Sequence, residues 1–348
     1  MSKQAGNAAA VAFGVIDHLD RQNVPVHETY DSRLRLIERY DKAGFDTFHI
    51  TEHHFTPLGL APSPLLFLSA ATRITKRIRF APLVLILPLY NPLRLAAEIC
   101  MLDHLSKGRL DIGTGRGISP YELAFYNINH LEVPAIYREA FEVLMQALTR
   151  DTVDYRGHYF KYFNVPIELR PYQQPHPPLW YASGSTEGAA WAGQENHNVA
   201  FLAPSSRARV LIDAYKKGRA AGKDGVARPM PKIGITRHLY LAETDEIART
   251  EGLDGYMAWY EKFSWLWQKN DPRPPPSREA VLERDAGRII TGSPSTVREE
   301  IARQIAETGA NYFITRFAYG NLTHEQSARS LELFISEVMP HFRATASA

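Results

Sequence analysis

Short apolar runs alternate with amphipathic stretches along almost the whole chain. The strand-like runs are VAFGVI (11–16), DTFHITEHH (46–54), IRFAPLVLIL (78–87), RLDIGTGRG (109–117), LWYASG (179–184), NVAFLAP (198–204), KIGITRHLYLA (232–242) and NYFITRFAYG (311–320). Between them the period changes to that of a helix. In DSRLRLIERYDKAGF (31–45), Leu34, Ile37 and Tyr40 recur at helical spacing, and Gly44 supplies a stop. In SPSTVREEIARQIAETGA (293–310), Thr296 and Glu299 have the spacing of a capping box, and Gly309 ends the segment.

Eight strands alternating with helices, with no break in composition, predict an α/β fold of the (β/α)8 TIM-barrel type in a single domain. An open doubly wound sheet alternates in the same way and is the other candidate. Two segments exceed a minimal barrel and are read as insertions after strands 4 and 7. Residues 151–178 are aromatic and proline-rich and predict a hairpin. Residues 245–290 contain NDPRPPPS (270–277) and are placed either to cover the mouth of the barrel or as plain surface structure. Residues 1–9 and 342–348 are expected to be flexible tails.

Composition narrows the function. The 348 residues are 45% hydrophobic and 22% charged with a net charge of +2, which gives no basic stripe for nucleic acid or a membrane surface. One cysteine, Cys100, excludes a disulfide framework and a cysteine-based zinc site. No apolar run is long enough to cross a bilayer and the N-terminus carries no signal-like core, so a cytoplasmic location is expected.

Chemistry enters at EHHF (52–55). Successive side chains on a strand alternate faces, so Phe48 and Ile50 face the helices, and Thr47, His49, Thr51 and His53 point inward. His53 is then the last inward residue, at the end of the strand where barrel enzymes place their chemistry. Alternation separates His53 from His54, and no further ligand cluster supports a metal. Proton transfer by His53 suits an imidazole, which titrates near neutrality. A histidine pair satisfied by local backbone is an equal alternative on this pattern alone.

Two glycine-rich strand ends follow. DIGTGRG (111–117) brings Gly115 and Arg116 together, and YASGSTEGAAWA (181–192) places Gly184, Ser185 and Thr186 where a strand gives way to a helix. Glycines admit an anion close to backbone N–H groups, arginine adds a bidentate donor, and a helix start is positive. A plain turn and simple N-capping are the alternatives; two such ends in one barrel favour a phosphate-bearing ligand.

These residues lie in blocks that resemble the bacterial luciferase-like flavin monooxygenases over nearly the whole chain: GFDTFHITEHHF (44–55), ILPLYNPLRLAAEICMLDHLSKGRLDIGTGRG (86–117), YREAFEVLM (137–145), PLWYASGSTEGAAWA (178–192), TGSPSTVREEIARQIAETGANYF (291–313) and ELFISEVMP (332–340). The resemblance implies a TIM barrel that binds reduced FMN and reacts it with O2 through a flavin C4a-hydroperoxide. It implies that His53 is the catalytic histidine, that Arg116 and Arg138 hold the flavin phosphate, and that Gly184, Ser185 and Thr186 cradle it. Leu83 and Val84 match a non-proline cis peptide under the flavin ring. Gly115 stands where luciferase has its reactive cysteine, which removes the basis for expecting light emission or an aldehyde substrate.

The function expected from this resemblance is a two-component, FMN-dependent monooxygenase acting on a small organic molecule. Its FMNH2 would come from a separate NAD(P)H-dependent flavin reductase, because the chain has no dinucleotide-binding fingerprint. A homodimer is expected on the same grounds. A deazaflavin (F420)-dependent hydride-transfer enzyme and a flavin-binding protein without turnover are the alternatives.

Overall fold

The computed structural model describes residues 11–182, 184–222 and 227–342. The tails expected at 1–9 and 342–348 lie outside these residues apart from Phe342, which is buried. Parallel strands alternate with helices along the chain in the (β/α)8 order, and two compact units can be distinguished within it.

One unit comprises Ile16–Ala182 and Glu261–Pro274. It holds the end of β1 (Ala12–Asp17), then α1 (Val26–Ala43), β2 (Thr47–Ile50), α2 (Pro64–Ile74), β3 (Arg79–Pro82), β4 (Leu85–Ile86), α3 (Pro92–Ser106) and β5 (Ile112–Gly115). After these come α4 (Pro120–Phe125), α5 (Val133–Thr149), β6 (Thr152–Arg156), β7 (Lys161–Pro166) and β8 (Leu179–Ala182). Strand β2 pairs in parallel with β3, and β5 pairs with both β4 and β8. The hairpin expected within 151–178 is the antiparallel pair β6–β7.

Local sequence explains these boundaries. Gly44 closes α1 in the left-handed region (φ 80°), where a side chain would be strained. Helix α3 starts with the Asn91 side chain accepting from the N–H groups of Leu93 and Arg94, and Pro92 occupies the first helical position. The stretch LSKGR (105–109) has a structural purpose. Lys107 and Gly108 turn the chain with positive φ. Arg109 then donates to the carbonyls of Ser106, Ile78 and Thr72 at 2.9, 3.0 and 3.1 Å, pinning the ends of α2 and α3 beneath β3.

The second unit holds the residues up to Val15, 184–260 and 275–342. Its elements are α6 (Thr186–Gln194), β9 (Asn198–Phe201), α7 (Ser205–Ala221), β10 (Ile233–Leu241), α9 (Arg278–Arg284), β11 (Ile289–Gly292), α10 (Pro294–Thr308), β12 (Tyr312–Arg316) and α11 (His324–Leu333). Strand β10 is fully buried and pairs with β9 and β12, and β12 pairs in turn with β1. The far end of β10, from His238 to Leu241, turns to a further partner, β11.

Three expectations are corrected. The strand read as 46–54 stops at Ile50, so residues 51–54 are irregular and the alternation argument does not extend to His53. Strand β11 (Ile289–Gly292), which starts at the end of the 245–290 segment read as an insertion, was missed. Helix α10 begins at Pro294, with Ser293 at the N-cap position but without a side-chain capping bond, and Thr296 donates to Asp245 instead of forming a capping box. The 245–290 insertion is mostly one long helix, α8 (Asp245–Asn270), whose Tyr256 and Trp259 are buried, with the proline run placed after it.

Candidate active site

Alternation does hold as far as Ile50. Phe48 stacks on Tyr40 of α1, and the inward His49 meets Trp180 of β8 edge-on at 4.7 Å between ring centroids. Beyond Ile50 the chain leaves the sheet after Thr51 donates its N–H to the Asp17 carbonyl. It then loops back so closely that a Cβ on Gly59 would lie 2.8 Å from the His53 carbonyl oxygen. The loop presents Glu52, His53 and His54 to partners far along the chain.

His54 is fully engaged. Its Nε2 lies 2.9 Å from Glu52 Oε1, and its Nδ1 lies 2.9 Å from the Tyr126 hydroxyl. A carboxylate only accepts, so Nε2 carries the proton and Nδ1 accepts from Tyr126. The other Glu52 oxygen accepts the Ile86 N–H at 2.9 Å, and the Glu52 carboxylate acts on the Tyr90 phenol. Burial first, then the Glu52 charge, pushes the Tyr90 phenol far up, so it stays a donor. Burial and the carboxylates of Glu52 and Glu122 raise Tyr126 in the same direction.

His53 is placed differently. Its Nδ1 lies 3.1 Å from Oε1 of Glu122, and its ring stacks against His18 at 5.5 Å. Among the described residues Nε2 has no hydrogen-bond partner, and the side chain keeps 11% of its exposure. Of the two adjacent histidines, one is saturated and the other offers an open nitrogen. The hydroxyl of Thr51, buried nearby in sequence, is also without a partner among these residues.

Glu122 escaped the sequence reading. It stands three residues after Ser119, whose hydroxyl accepts its N–H at 3.3 Å, so SPYE reads as an ordinary cap at the start of α4. The only sequence signal was an acid in a segment that also buries Leu123.

The glycines of DIGTGRG serve packing. A Cβ on Gly113 would lie 2.2 Å from the Pro82 carbonyl oxygen, and one on Gly115 would lie 2.3 Å from Val84 Cγ2. The Leu83–Val84 peptide between β3 and β4 is cis, the geometry that the resemblance implied. Arg116 and Arg138 are both exposed, and neither forms an ion pair among the described residues. Arg116 acts electrostatically on Tyr137, the chain neighbour of Arg138. Burial pushes the Tyr137 phenol up to about 12, and its hydroxyl pairs with Thr114 at 3.0 Å.

In the second unit Ser185 caps α6, accepting the Gly188 N–H at 3.1 Å, so the N-capping alternative is realised there. Gly184 has open space where a side chain would project, and its carbonyl accepts from Arg207 at 3.2 Å. Thr186 bonds the neighbouring Glu187. Among the described residues no group of three or more His, Cys, Asp or Glu side chains could hold a metal, and no helix is long and apolar enough to cross a membrane.

A family model described as luciferase-like monooxygenase matches residues 11–312, and the chain belongs to that family. It is 37% identical over 333 residues to the protein y4wF of Sinorhizobium fredii, covering 94% of this chain and 96% of that one. It is 25% identical to the flavin-dependent trigonelline monooxygenase, oxygenase component, of Acinetobacter baylyi, covering 95% of both chains. In structure it is similar to the oxygenating constituent of 3,6-diketocamphane monooxygenase from Pseudomonas putida, solved with FMN, with a TM-score of 0.80, 22% identity and coverage of 95% and 98%. The protein is thus an enzyme of the luciferase-like oxidoreductases on a TIM-barrel fold.

Proposed function

We propose that this protein is the oxygenase component of a two-component, FMN-dependent monooxygenase that oxidises a small organic substrate. The observation that carries this reading is the open Nε2 of a partly buried histidine, His53, held from behind by a carboxylate. Such a nitrogen can accept or return a proton at a reacting centre. Reduced FMN, when bound, supplies two electrons to O2, so that one oxygen atom enters the substrate and the other leaves as water.

The residues present fit that group. Arg116 and Arg138 are exposed cations without an acidic partner among the described residues, as phosphate ligands would be. Gly184, with open space above it, and the capped start of α6 suit a phosphate through their backbone N–H groups. The Thr51 hydroxyl, without a partner among the described residues, is a further donor or acceptor for the cofactor or substrate.

Apolar surface beside the histidines supports an organic substrate. Phe55 makes ring contacts with Phe125 and Tyr126 at 5.4 Å each, and all three stay substantially exposed. The segment Glu261–Pro274 supplies a cover, with Trp267 meeting Tyr121 of α4 at 6.1 Å. A separate NAD(P)H-dependent reductase would provide FMNH2, a reading supported by the relative from Acinetobacter baylyi, which is named as an oxygenase component. A homodimer through α2 and α3 accounts for exposed Leu66, Met101 and Leu105.

Anaerobic titration with photoreduced FMN and reduced deazaflavin tests the cofactor assignment. Tighter binding of reduced FMN supports it, whereas selective binding of the deazaflavin replaces it with hydride transfer.

A further inference from the structure

We propose that Glu122 is a positioning residue that locks His53 in the tautomer with its proton on Nδ1 and a lone pair on Nε2. The value of this lock for catalysis rests on the reading of His53 given above; the tautomer itself rests on geometry alone.

Both oxygens of Glu122 are committed. Oε1 lies 3.1 Å from His53 Nδ1, and Oε2 accepts the backbone N–H of His54 at 2.9 Å. The side chain retains only 4% of its exposure, so water does not compete for these contacts. An ionised carboxylate has no proton to give, and Nδ1 of a neutral ring must therefore donate to it. The same constraint runs the opposite way one residue on. His54 has Nε2 against Glu52 and Nδ1 against Tyr126, which places its proton on Nε2. Two adjacent histidines are thus held in opposite tautomers by two different glutamates, and only His53 is left with an accepting nitrogen open.

The backbone N–H of His54 gives this arrangement a specific consequence. That group can only donate, so a residue at position 122 must keep an acceptor facing it. In Glu122→Gln the amide oxygen would be held there, and the amide NH2 would face Nδ1 of His53. The ring would then have to accept at Nδ1 and carry its proton on Nε2. A substitution of nearly equal shape would close the accepting nitrogen without removing the imidazole. Glu122→Asp keeps an acceptor-only group and should preserve the original tautomer.

The test is multiple-bond proton–nitrogen NMR on histidine-labelled protein without flavin, at alkaline pH. The His53 signals are assigned by their loss in His53→Gln. Wild-type protein and Glu122→Asp should show a protonated Nδ1 on His53, and Glu122→Gln a protonated Nε2. The His54 pattern should be unchanged in all of them, which reports that the fold is intact. A wild-type His53 protonated on Nε2 overturns the proposal, even if Glu122→Gln does not fold. An unaltered His53 tautomer in a folded Glu122→Gln overturns it too. The reaction of bound reduced FMN with O2 then separates the two readings. A switched tautomer with slowed reaction, by roughly 10²–10⁴, supports both. A switched tautomer with wild-type kinetics leaves the lock standing and removes His53 from proton transfer.

Discussion

The side chain of Val84 fills the space that a side chain on Gly115 would need: a Cβ there would lie 2.3 Å from Val84 Cγ2. Val84 is β-branched and stiff at χ1, so it cannot swing aside without disturbing its backbone. Gly115→Ala should therefore destabilise the protein by about 1–3 kcal/mol, the usual range for overpacking. In denaturant unfolding, Val84→Ala should recover much of that loss when combined with Gly115→Ala. Strictly additive effects of the two substitutions would show that the contact does not decide the residue at 115. The same contact gives a physical reason why this chain has no cysteine there.

Arg116 and Arg138 are predicted to act on the phosphate of the flavin. Arg116→Ala and Arg138→Ala should each weaken FMN by about 10- to 100-fold, the worth of one charge-assisted contact. Riboflavin, which lacks the phosphate, should lose much less. Fluorescence titration of both flavins checks this, and equal losses for the two ligands would sink the assignment.

His238 should make stability depend on pH. It is buried among Trp259, Tyr256 and Tyr319, with Arg316 Nη1 2.8 Å from its Nε2. Burial first, then the charges of Arg316 and Arg288, holds its pKa well below the usual histidine value. The sign follows from linkage. Below about pH 6.5 the unfolded chain binds a proton that the folded chain refuses, so stability falls as pH falls from there toward the folded pKa. This group alone contributes a slope of up to about 1.4 kcal/mol per pH unit. His238→Gln should be less stable than wild type at pH 8, with the gap narrowing by pH 5. A gap that stays constant across that range would exclude the titration.

How much of this was legible in the sequence follows from the range of each interaction. The main strands were visible because β2, β10 and β12 are buried and therefore continuously apolar or alternating. Gly44 and Gly309 were readable as stops because left-handed backbone needs no distant partner. Strand β11 was hidden because its four residues are defined by pairing with His238–Leu241. The site divided in the same way. His53 stood out in EHHF, but its partner lies 69 positions away in sequence, in a segment that reads as a helix cap. Strand parity failed at the point where the sheet ends, and no local pattern marked that end.

The account centres on oxygen chemistry assisted by the open nitrogen of His53, and rapid mixing tests it most directly. Protein loaded anaerobically with photoreduced FMN is mixed with O2, and the flavin absorbance is followed. Wild-type protein should pass through a long-lived phase distinct from both reduced and oxidised FMN. His53→Ala should bind reduced FMN nearly normally but lose the formation or lifetime of that phase, on the order of 10²–10⁴ in rate. His54→Ala, which breaks the Glu52–Tyr126 link, should affect the chemical step less. Wild-type protein that reoxidises with the trace of free flavin, or oxygen kinetics unchanged in His53→Ala but abolished in His54→Ala, would contradict the account.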